Sequence, residues 1–366
     1  MDKIILKDIS LEDKELFNFY FQKYPSFLCD FNFNNLFLWS FYYKYKWFLY
    51  KNRIIIYNEL TDFILEPLGE FLNIEEIFYI SDLFKSIDKS GNFIFYSINY
   101  LNYFLKLNLI EDSSELQNYF NLYNYQLKNI FNYSTNNLIN EKFNCNPFGD
   151  TEKSEDNKKK DINNLWNKKI RIKTDRASAN YIYNSQDLAN LSGRKFHNKK
   201  NLVNQFIKNY KNYKFELYKS STINCDIFKK CYELNKYWYE KKIKNLEINN
   251  DIFFNELLKN EIYILENLCK YFSKLDLDLF LLYVDNQIVS FSVGSTQNID
   301  MYTIHFEKFD SDFIGSSQMI NYLSSNYLKD KYKWINREDD LGFENLRNSK
   351  LSYNPYIILL PFEFLF

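Results

Sequence analysis

A polar run near the middle of the chain indicates that the residues on either side of it fold as separate domains. Residues 150–164, DTEKSEDNKKKDINN, carry blocks of opposite charge and show no apolar periodicity, which is typical of a solvated connection. The chain of 366 residues is also longer than one hydrophobic core usually supports. We therefore predict an N-terminal domain over residues 1–149, a polar linker or insertion over 150–169 and a C-terminal domain over 170–366.

Composition indicates a globular protein of mixed secondary structure. Hydrophobic residues make up 46% of the chain, and strong β formers and helix formers are intermixed throughout. The longest apolar stretch has eleven residues, 356–366, interrupted by Pro361 and Glu363, whereas a bilayer-spanning helix needs about 20. The start lacks a signal-peptide pattern, and the five cysteines are odd in number with no CxxC pair. We expect a cytoplasmic protein with no transmembrane segment and no metal site.

The C-terminal half shows the clearest order of strands and helices. Apolar residues recur at three- and four-residue spacing near 198–212, 223–241 and 252–274, which predicts three helices. There follow a hairpin of FLLYV and QIVSFSVGS, a strand MYTIHFEKF, a helix GSSQMINYLSSNYL, a strand KWINR, a helix FENLRNSKL and a strand YIILL. A hairpin, a third strand and then αβαβ is the connectivity of the GNAT acyltransferase core.

The N-terminal half also mixes strands with helices. WFLYKNRIIIY is typical of a hairpin that turns at Lys51 and Asn52, and IEEIFYISDLFKSIDKSG is typical of a helix that ends at Gly91. The fold class predicted for the whole chain is therefore α/β (α+β), with mixed sheets flanked by helices.

The strand over residues 301–307 is the best candidate for an active site. We expect it to be central in its sheet, yet alternation puts Thr303, His305 and Glu307 on one of its faces. Titratable groups on a buried strand are costly unless they are paired or functional. Because acyl transfer to an amine needs a base, Glu307 and His305 are the candidate catalytic residues. The alternative is a half-exposed edge strand without chemistry.

The turn after this strand argues against coenzyme A as a donor. Coenzyme A transferases of this fold usually bind the pyrophosphate with a Gly-rich turn at the next helix N-terminus. Here the turn has one glycine, Gly315, and two carboxylates, Asp310 and Asp312. Ser316 and Ser317 leave open the binding of some other anion.

Charged residues are dense in residues 334–355, WINREDDLGFENLRNSKLSYNP. Arg337 is predicted at the end of a strand, and Arg347 and Lys350 lie three residues apart on one helix face. These three cations are therefore predicted to converge on an anionic group. Ordinary surface charge is the alternative interpretation.

A strongly basic segment precedes the predicted sheet. Residues 158–219 contain sixteen Lys and Arg against four acids, a net charge of +12. Within the predicted helix 198–212, Lys200, Lys208 and Lys211 fall opposite an apolar stripe. They are candidate nucleic-acid-binding residues that track the phosphates of a tRNA. A plain solvated helix face is the alternative.

Several strings of the C-terminal half resemble a known family. YIYNSQDLANLSGRKFHNKKNLVNQF, HFEKF, GSSQMIN and WINREDDLGFENLRNSKLSYNP are together similar to the phosphatidylglycerol lysyltransferase C-terminal domain family, and DFNFNNLFLWSFYYKYKWFLYKNRIIIY is similar more weakly. More narrowly, the chain resembles soluble members with two tandem GNAT-like domains. It differs from the lysyltransferases in lacking their transmembrane half, and in having Tyr322 where Gln is expected.

The resemblance implies aminoacyl transfer from aminoacyl-tRNA to a lipid or peptide acceptor, without coenzyme A. It carries over a set of candidate substrate-binding or catalytic positions without assigning a role to each. They are Ser192, Gly193, Arg194, Lys195, His197, Asn204, Glu307, Gln318, Asn321, Asn336, Arg337, Glu338, Asp339 and Lys350.

Three functional hypotheses follow from the sequence. The first is an aminoacyl or acyl transferase with Glu307 as base, Arg337 and Lys350 on an anionic part of the donor or acceptor, and no bound cofactor. The second is a non-catalytic GNAT-like module that binds RNA, a lipid headgroup or a protein. The third, disfavoured by Asp310 and Asp312, is a coenzyme A-dependent N-acyltransferase.

Overall fold

The computed structural model of the protein describes residues 4–95, 170–221, 225–246 and 252–366, and, from 100–110, all but 102, 105, 106 and 108. The predicted linker over 150–169 lies outside the described residues, as does the part of the basic segment that precedes Ile170.

Strands and helices are numbered along the chain. The strands are β1 (Lys7–Asp8), β2 (Tyr45–Tyr50), β3 (Arg53–Asn58), β4 (Phe63–Leu65), β5 (Asn92–Phe95), β6 (Arg171–Thr174), β7 (Asn180–Asn184), β8 (Tyr213–Lys219), β9 (Asp278–Val284), β10 (Gln287–Asn298), β11 (Met301–Phe309), β12 (Trp334–Asn336), β13 (Ile357–Leu359) and β14 (Phe362–Leu365). The described α-helices are α1 (Lys14–Lys23), α2 (Phe33–Tyr43), α3 (Ile74–Lys85), α4 (Ser185–Asn190), α5 (His197–Asn209), α6 (Cys225–Leu246), α7 (Ile252–Tyr271), α8 (Ser316–Leu328) and α9 (Glu344–Leu351).

The chain divides into two compact units that are not consecutive in sequence. The first unit contains Met1–Lys7, Lys46–Arg176 and Leu360–Phe366, and the second contains Asp8–Tyr45 and Ala177–Leu359. This division differs from the sequential domains predicted above, because an N-terminal segment joins the second unit and the last residues join the first.

Strand pairing and buried amides account for this exchange of segments. β14, at the C-terminus, pairs with β5 and β6 of the first unit. In the second unit the Nδ2 atom of Asn32, the N-cap of α2, donates to the Thr296 carbonyl at 2.9 Å. The Nδ2 atom of Asn336 donates to the Phe27 carbonyl at 2.8 Å. Buried amides of this kind are costly to leave unpaired, so they hold the N-terminal helices in the second unit.

The first unit is a seven-stranded mixed sheet with α3 among its helices. The strand order is β1-β2-β3-β4-β5-β14-β6, with β4 and β5 parallel. The predicted hairpin of β2 and β3 is confirmed, and Lys51 and Asn52 at its turn have φ of 44° and 59°. Its core contains Tyr57, Phe84 and Phe93.

The second unit is a second seven-stranded mixed sheet, in the order β13-β7-β12-β11-β10-β9-β8. β8 to β11 form an antiparallel run, α8 follows, and β12 pairs parallel with β11. The order of elements predicted for a GNAT-like core is confirmed, and β11 is a central strand. The predicted helix 198–212 is shorter than expected, because α5 ends at Asn209 and leaves Lys211 in the following turn.

β11 and β12 separate after a short pairing, and this separation positions the site. They pair from Met301 to Thr303 on β11 and from Trp334 to Asn336 on β12. Beyond Asn336 the chain continues to bond to β7, since the Arg337 N–H donates to the Tyr181 carbonyl at 2.9 Å. We call the opening between β11 beyond Thr303 and the chain beyond Asn336 the fork.

Candidate active site at the fork

His305 enters the fork from a β-bulge that simple alternation does not predict. Val293 pairs with Phe306 while the next residue, Gly294, pairs with Ile304, so His305 is the extra residue on β11. A Cβ at Gly294 would lie 2.4 Å from a ring carbon of Tyr302, so only glycine allows the two strands to approach here. Bulges of this kind re-aim a side chain and are common beside functional sites.

Both ring nitrogens of His305 are hydrogen-bonded within the protein. Nδ1 lies 2.8 Å from Oε1 of Glu338, and Nε2 lies 2.7 Å from Oγ of Ser295. Because a carboxylate only accepts, Nδ1 carries the proton, and in the neutral ring Nε2 accepts from the Ser295 hydroxyl. That hydroxyl in turn accepts from Nδ2 of Asn32 at 3.1 Å. With its side chain only 1% exposed, His305 is a positioning residue for Glu338 in this arrangement.

Glu307 forms a largely buried ion pair with Arg337. Nη2 of Arg337 donates to Oε1 of Glu307 at 3.0 Å, and the two side chains are 11% and 15% exposed, respectively. Burial, the largest single influence, lowers the pKa of Arg337, but Glu307 together with Tyr183 and Tyr353 outweighs it and the pKa is raised. Glu307, the base predicted from the sequence, therefore lies beside the Arg337 guanidinium and neutralises its charge.

Lys350 stabilises the turn that carries Glu338 and Asp339. Its ammonium donates to the backbone carbonyls of Arg337, at 2.5 Å, and of Asp339. Glu338 has a φ of 54°, so this turn includes a left-handed residue. Burial lowers the pKa of Lys350 and raises the pKa of Asp339. Titratable groups with pKa values displaced in this way cluster at functional sites.

Carboxylates crowd the side of the fork next to α2. Burial raises the pKa of the Cys29 thiol, and the charges of Asp30, Glu338 and Asp339 raise it further. The same burial and the charges of Asp339 and Asp30 raise the pKa of Tyr43. Asp30, Glu338 and Asp339 therefore bring negative charge to this side of the fork, and the Lys350 ammonium balances part of it.

The predicted convergence of Arg337, Arg347 and Lys350 on one anion is wrong. Arg347 forms a two-bond ion pair with Asp340, from Nε at 2.9 Å and from Nη2 at 3.0 Å. Lys350 is occupied by the carbonyls described above. Arg347 binds Asp340 because the two parallel N–H groups of a guanidinium match the two oxygens of a carboxylate. The Asp340 carboxylate also accepts a hydrogen bond from the Tyr181 hydroxyl.

Lys199 and Tyr353 lie at the fork and were missed by the sequence prediction. The Arg337 guanidinium lies 5.0 Å from the centre of the Tyr353 ring, and Nζ of Lys199 lies 4.3 Å from the same point. Burial lowers the pKa of Lys199, and the charge of Arg337 lowers it further. The sequence did contain a signal for the position of Lys199. It precedes the buried residues Val203 and Phe206 by four and seven positions, a spacing that places it on their side of the helix rather than on the solvated face.

Comparisons with known proteins agree with the resemblance seen in the sequence. Residues 159–360, more than half of the chain, match the family described as "Phosphatidylglycerol lysyltransferase, C-terminal". The chain belongs to this family. All of the fork residues that follow β10 lie within the matched range.

Relatives of this lysyltransferase C-terminal family member include proteins of unknown function. An uncharacterised protein of Mycoplasmoides gallisepticum is 28% identical over 187 residues, which are 50% of this chain and 54% of the relative, so the chain spans about half of the curated relative. A conserved protein of unknown function from Bacteroides thetaiotaomicron has 25% identity, a TM-score of 0.70 and 99% coverage of both chains. The structure of L-PGS from Bacillus licheniformis has a TM-score of 0.54 and 12% identity, with 99% of this chain and 94% of that one covered, which shows the fold alone.

The lysyltransferase-like positions outside the fork are divided between surface and core. Ser192, Arg194, Lys195, His197 and Asn204 are exposed. Lys195 pairs with Asp187 at 2.9 Å. Lys200, Lys208 and Lys211 are also exposed, as predicted for a solvated face, and their role in binding nucleic acid stays a prediction.

Three amide positions of the family pattern lie on β12 and α8. Asn336 is fully buried, and its Nδ2 also donates to Oδ1 of Asn180 at 2.7 Å, so it ties β12 to β7. On α8, Gln318 is half-buried, whereas Asn321 is buried and its Oδ1 has no hydrogen-bond partner among the described residues.

Within the described ranges, no helix has the length and apolarity needed to cross a bilayer.

Proposed function

We propose that the protein is a cytoplasmic aminoacyltransferase that moves an aminoacyl group from an aminoacyl-tRNA to an amine or hydroxyl acceptor. The observation that carries the proposal is the charge separation across the fork. Arg337 and Lys199 lie around the Tyr353 ring, whereas the charges of Glu338 and Asp339 act together on Cys29 beside α2. An aminoacyl-tRNA end has the matching pair of charges, an α-ammonium near the ester and a phosphodiester beyond the ribose.

The reaction requires one base and a leaving hydroxyl. The acceptor nitrogen or oxygen attacks the ester carbonyl carbon, the bond from that carbon to the ribose oxygen breaks, and the ribose oxygen leaves with a proton. Glu307 is the base predicted from the sequence, and it lies on the central strand at the fork. Asp339, whose pKa is raised by burial, is a second carboxylate suited to accept a proton near neutral pH.

The turn before α8 supports a donor other than coenzyme A. Gly315, the N-cap of α8, has a φ of 86°, and a Cβ there would lie 2.4 Å from the Leu202 carbonyl of α5. The N–H of Ile314 in this turn is already bonded to the Tyr210 hydroxyl at 3.1 Å. With α5 packed against this helix start and Asp310 buried beside it, a pyrophosphate would meet backbone and a carboxylate.

Consumption of labelled donors tests the proposal. We would incubate the full-length protein with mixed labelled aminoacyl-tRNAs, or with labelled acetyl-coenzyme A, in the presence of a small-molecule and lipid extract. The expected result is loss of label from one or more aminoacyl-tRNAs, faster than spontaneous hydrolysis, with label recovered in an acceptor fraction. Consumption of acetyl-coenzyme A alone would replace the proposal with the coenzyme A-dependent reaction.

A non-catalytic binding module is the second candidate, because both ring nitrogens of His305 and an oxygen of Glu307 are already occupied by protein partners. Stable binding of tRNA with no donor consumed, by the wild type and the Glu307→Gln variant alike, would favour it.

A further inference from the structure

Two buried hydrogen-bond donors, one on Arg337 and one on Tyr353, lack an acceptor among the described residues. Among the described residues, Nη1 of Arg337 and the hydroxyl of Tyr353 are buried without a hydrogen-bond partner. Tyr353 is only 2% exposed. A buried donor left unpaired costs free energy comparable to a lost hydrogen bond, so two unpaired donors on side chains whose guanidinium and ring centre lie 5.0 Å apart indicate a missing acceptor.

The positive charge around the Tyr353 ring is only partly compensated. Glu307 neutralises Arg337 at 3.0 Å. Half-buried Lys199, for which the described residues provide no ion pair, has only the face of the Tyr353 ring at 4.3 Å, and it lies close enough to Arg337 to feel its charge. Glu307 provides one negative charge for these two cations, so one positive charge is left for a bound anion to balance.

We infer that Lys199, Arg337 and the Tyr353 hydroxyl form a subsite for a phosphoryl group, the phosphodiester of a substrate of the transferase. A tetrahedral phosphate offers several acceptor oxygens, which suits a guanidinium and an ammonium that lie over one ring together with the hydroxyl of that ring. A phosphodiester has two sources in this chemistry, the 3′ end of a tRNA and a phospholipid headgroup. Assigning the group to a substrate rests on the proposed function, whereas the subsite itself rests on the three side chains.

Lys199 and Lys331 provide a matched pair of variants for the test. Each ammonium faces a tyrosine ring, that of Lys331 at 3.6 Å from the centre of Tyr327, but Lys331 is exposed. We would titrate the full-length protein with inorganic phosphate at constant ionic strength and follow ³¹P line broadening and calorimetric heat. The expected result is saturable binding that Lys199→Gln weakens by about tenfold, as for the loss of one charge-assisted contact, while Lys331→Gln changes it by less than about twofold. Equal effects of the two variants, or no saturable binding by the wild type, would overturn the subsite.

Tyr353→Phe separates a ligand contact from a structural one. It keeps the ring that faces both cations and removes only an unpaired hydroxyl, so the melting temperature should stay the same or rise while phosphate affinity falls by about fivefold. A lower melting temperature with unchanged phosphate affinity would show that the hydroxyl is structural and would contradict the proposal.

Two further ligands identify the source and keep this inference distinct from the proposed function. Cytidylyl-adenosine represents the tRNA end, and glycerophosphoglycerol represents a lipid headgroup. The one that binds more tightly and competes with inorganic phosphate identifies the source, whereas competition by neither would overturn the assignment to a substrate phosphodiester. Phosphate binding that depends on Lys199 without donor consumption would refute the transferase alone, and donor consumption without phosphate binding would refute the subsite alone.

Discussion

Oε1 of Glu338 accepts a hydrogen bond from Nδ1 of His305 at 2.8 Å, across the opening between two parallel strands. The Ser295 hydroxyl on the other side of the ring, 2.7 Å from Nε2, fixes the orientation of the imidazole. A series of side-chain hydrogen bonds therefore stabilises the fork. It runs from Asn32, the N-cap of α2, through Ser295 and His305 to the Glu338 carboxylate.

Replacing His305 should affect both stability and function through Glu338. We expect His305→Gln to lower the free energy of unfolding by about 1–3 kcal/mol, because it disrupts bonds to Ser295 and Glu338 in a buried site. Urea denaturation measures this change. Ser295→Ala is the control, since it breaks the chain on one side only and should cost less. A fully stable His305→Gln protein would show that the network contributes little.

Glu307→Gln tests the base and the ion pair separately. As a base, Glu307 should contribute about 10²–10⁴ to turnover, which its amide cannot supply. As the partner of a largely buried guanidinium it should also contribute to stability, and a double-mutant cycle with Arg337→Gln should give a favourable coupling of about 1–3 kcal/mol. Donor consumption and urea denaturation of the four proteins measure the two effects. A coupling near zero would contradict the ion pair, and unchanged turnover would contradict the base.

Asp339 should make stability depend on pH in a direction opposite to that of most carboxylates. Burial raises its pKa above the ordinary 3.8, so the folded protein binds this proton more tightly than the unfolded chain. Its contribution to stability is therefore fully present below the unfolded pKa and declines as pH rises toward the raised value. Because the raised pKa is about 7, we expect the stability of the wild type relative to Asp339→Asn to fall between about pH 4 and 7. A relative stability that rises over this window would contradict the pKa shift.

Gly294 should be intolerant of alanine because of the bulge at His305. A Cβ would lie 2.4 Å from the Tyr302 ring and 2.5 Å from the Thr303 carbonyl, so Gly294→Ala should destabilise by about 1–3 kcal/mol or more. Gly193 is the matched control, because a Cβ there meets nothing within 4 Å and only its φ of 86° opposes alanine. Thermal unfolding of both variants measures the difference, and equal losses would contradict the close approach of the strands.

The exposed lysines of α5 and its following turn test the prediction of a tRNA surface. Replacing Lys200, Lys208 and Lys211 together by Gln should flatten the dependence of log affinity on log salt concentration by about 2, since each phosphate contact releases about 0.7–0.9 counterions. Stability should hardly change, because solvated lysines contribute little. Filter binding of tRNA from about 50 to 300 mM salt measures the slopes. Parallel slopes for the two proteins, or no tRNA binding by the wild type, would refute the surface.

Much of the fold follows from local patterns in the sequence. Apolar periodicity predicted α5 to α7 and the succession of strands and helices along the second unit, because which face of an element is buried is encoded within that element. The same reasoning identified His305 and Glu307, since titratable side chains on a central strand conflict with burial unless they are paired. The extent of α5 was less predictable, because helix ends depend on capping and packing rather than on period.

The tertiary structure alone decided which segments and charges meet. The pairing of β14 with β5 and β6 joins residues more than 180 positions apart in sequence, and no local pattern specifies a partner strand at that separation. The ion pairs Glu307–Arg337 and Arg347–Asp340 likewise depend on where separate elements end in space. The sequence by itself thus determined the elements, the buried faces and the family. The fold determined that Lys199 and Arg337 both lie over the ring of Tyr353. Charge pairing is a property of distance in space, and only the packed chain sets that distance.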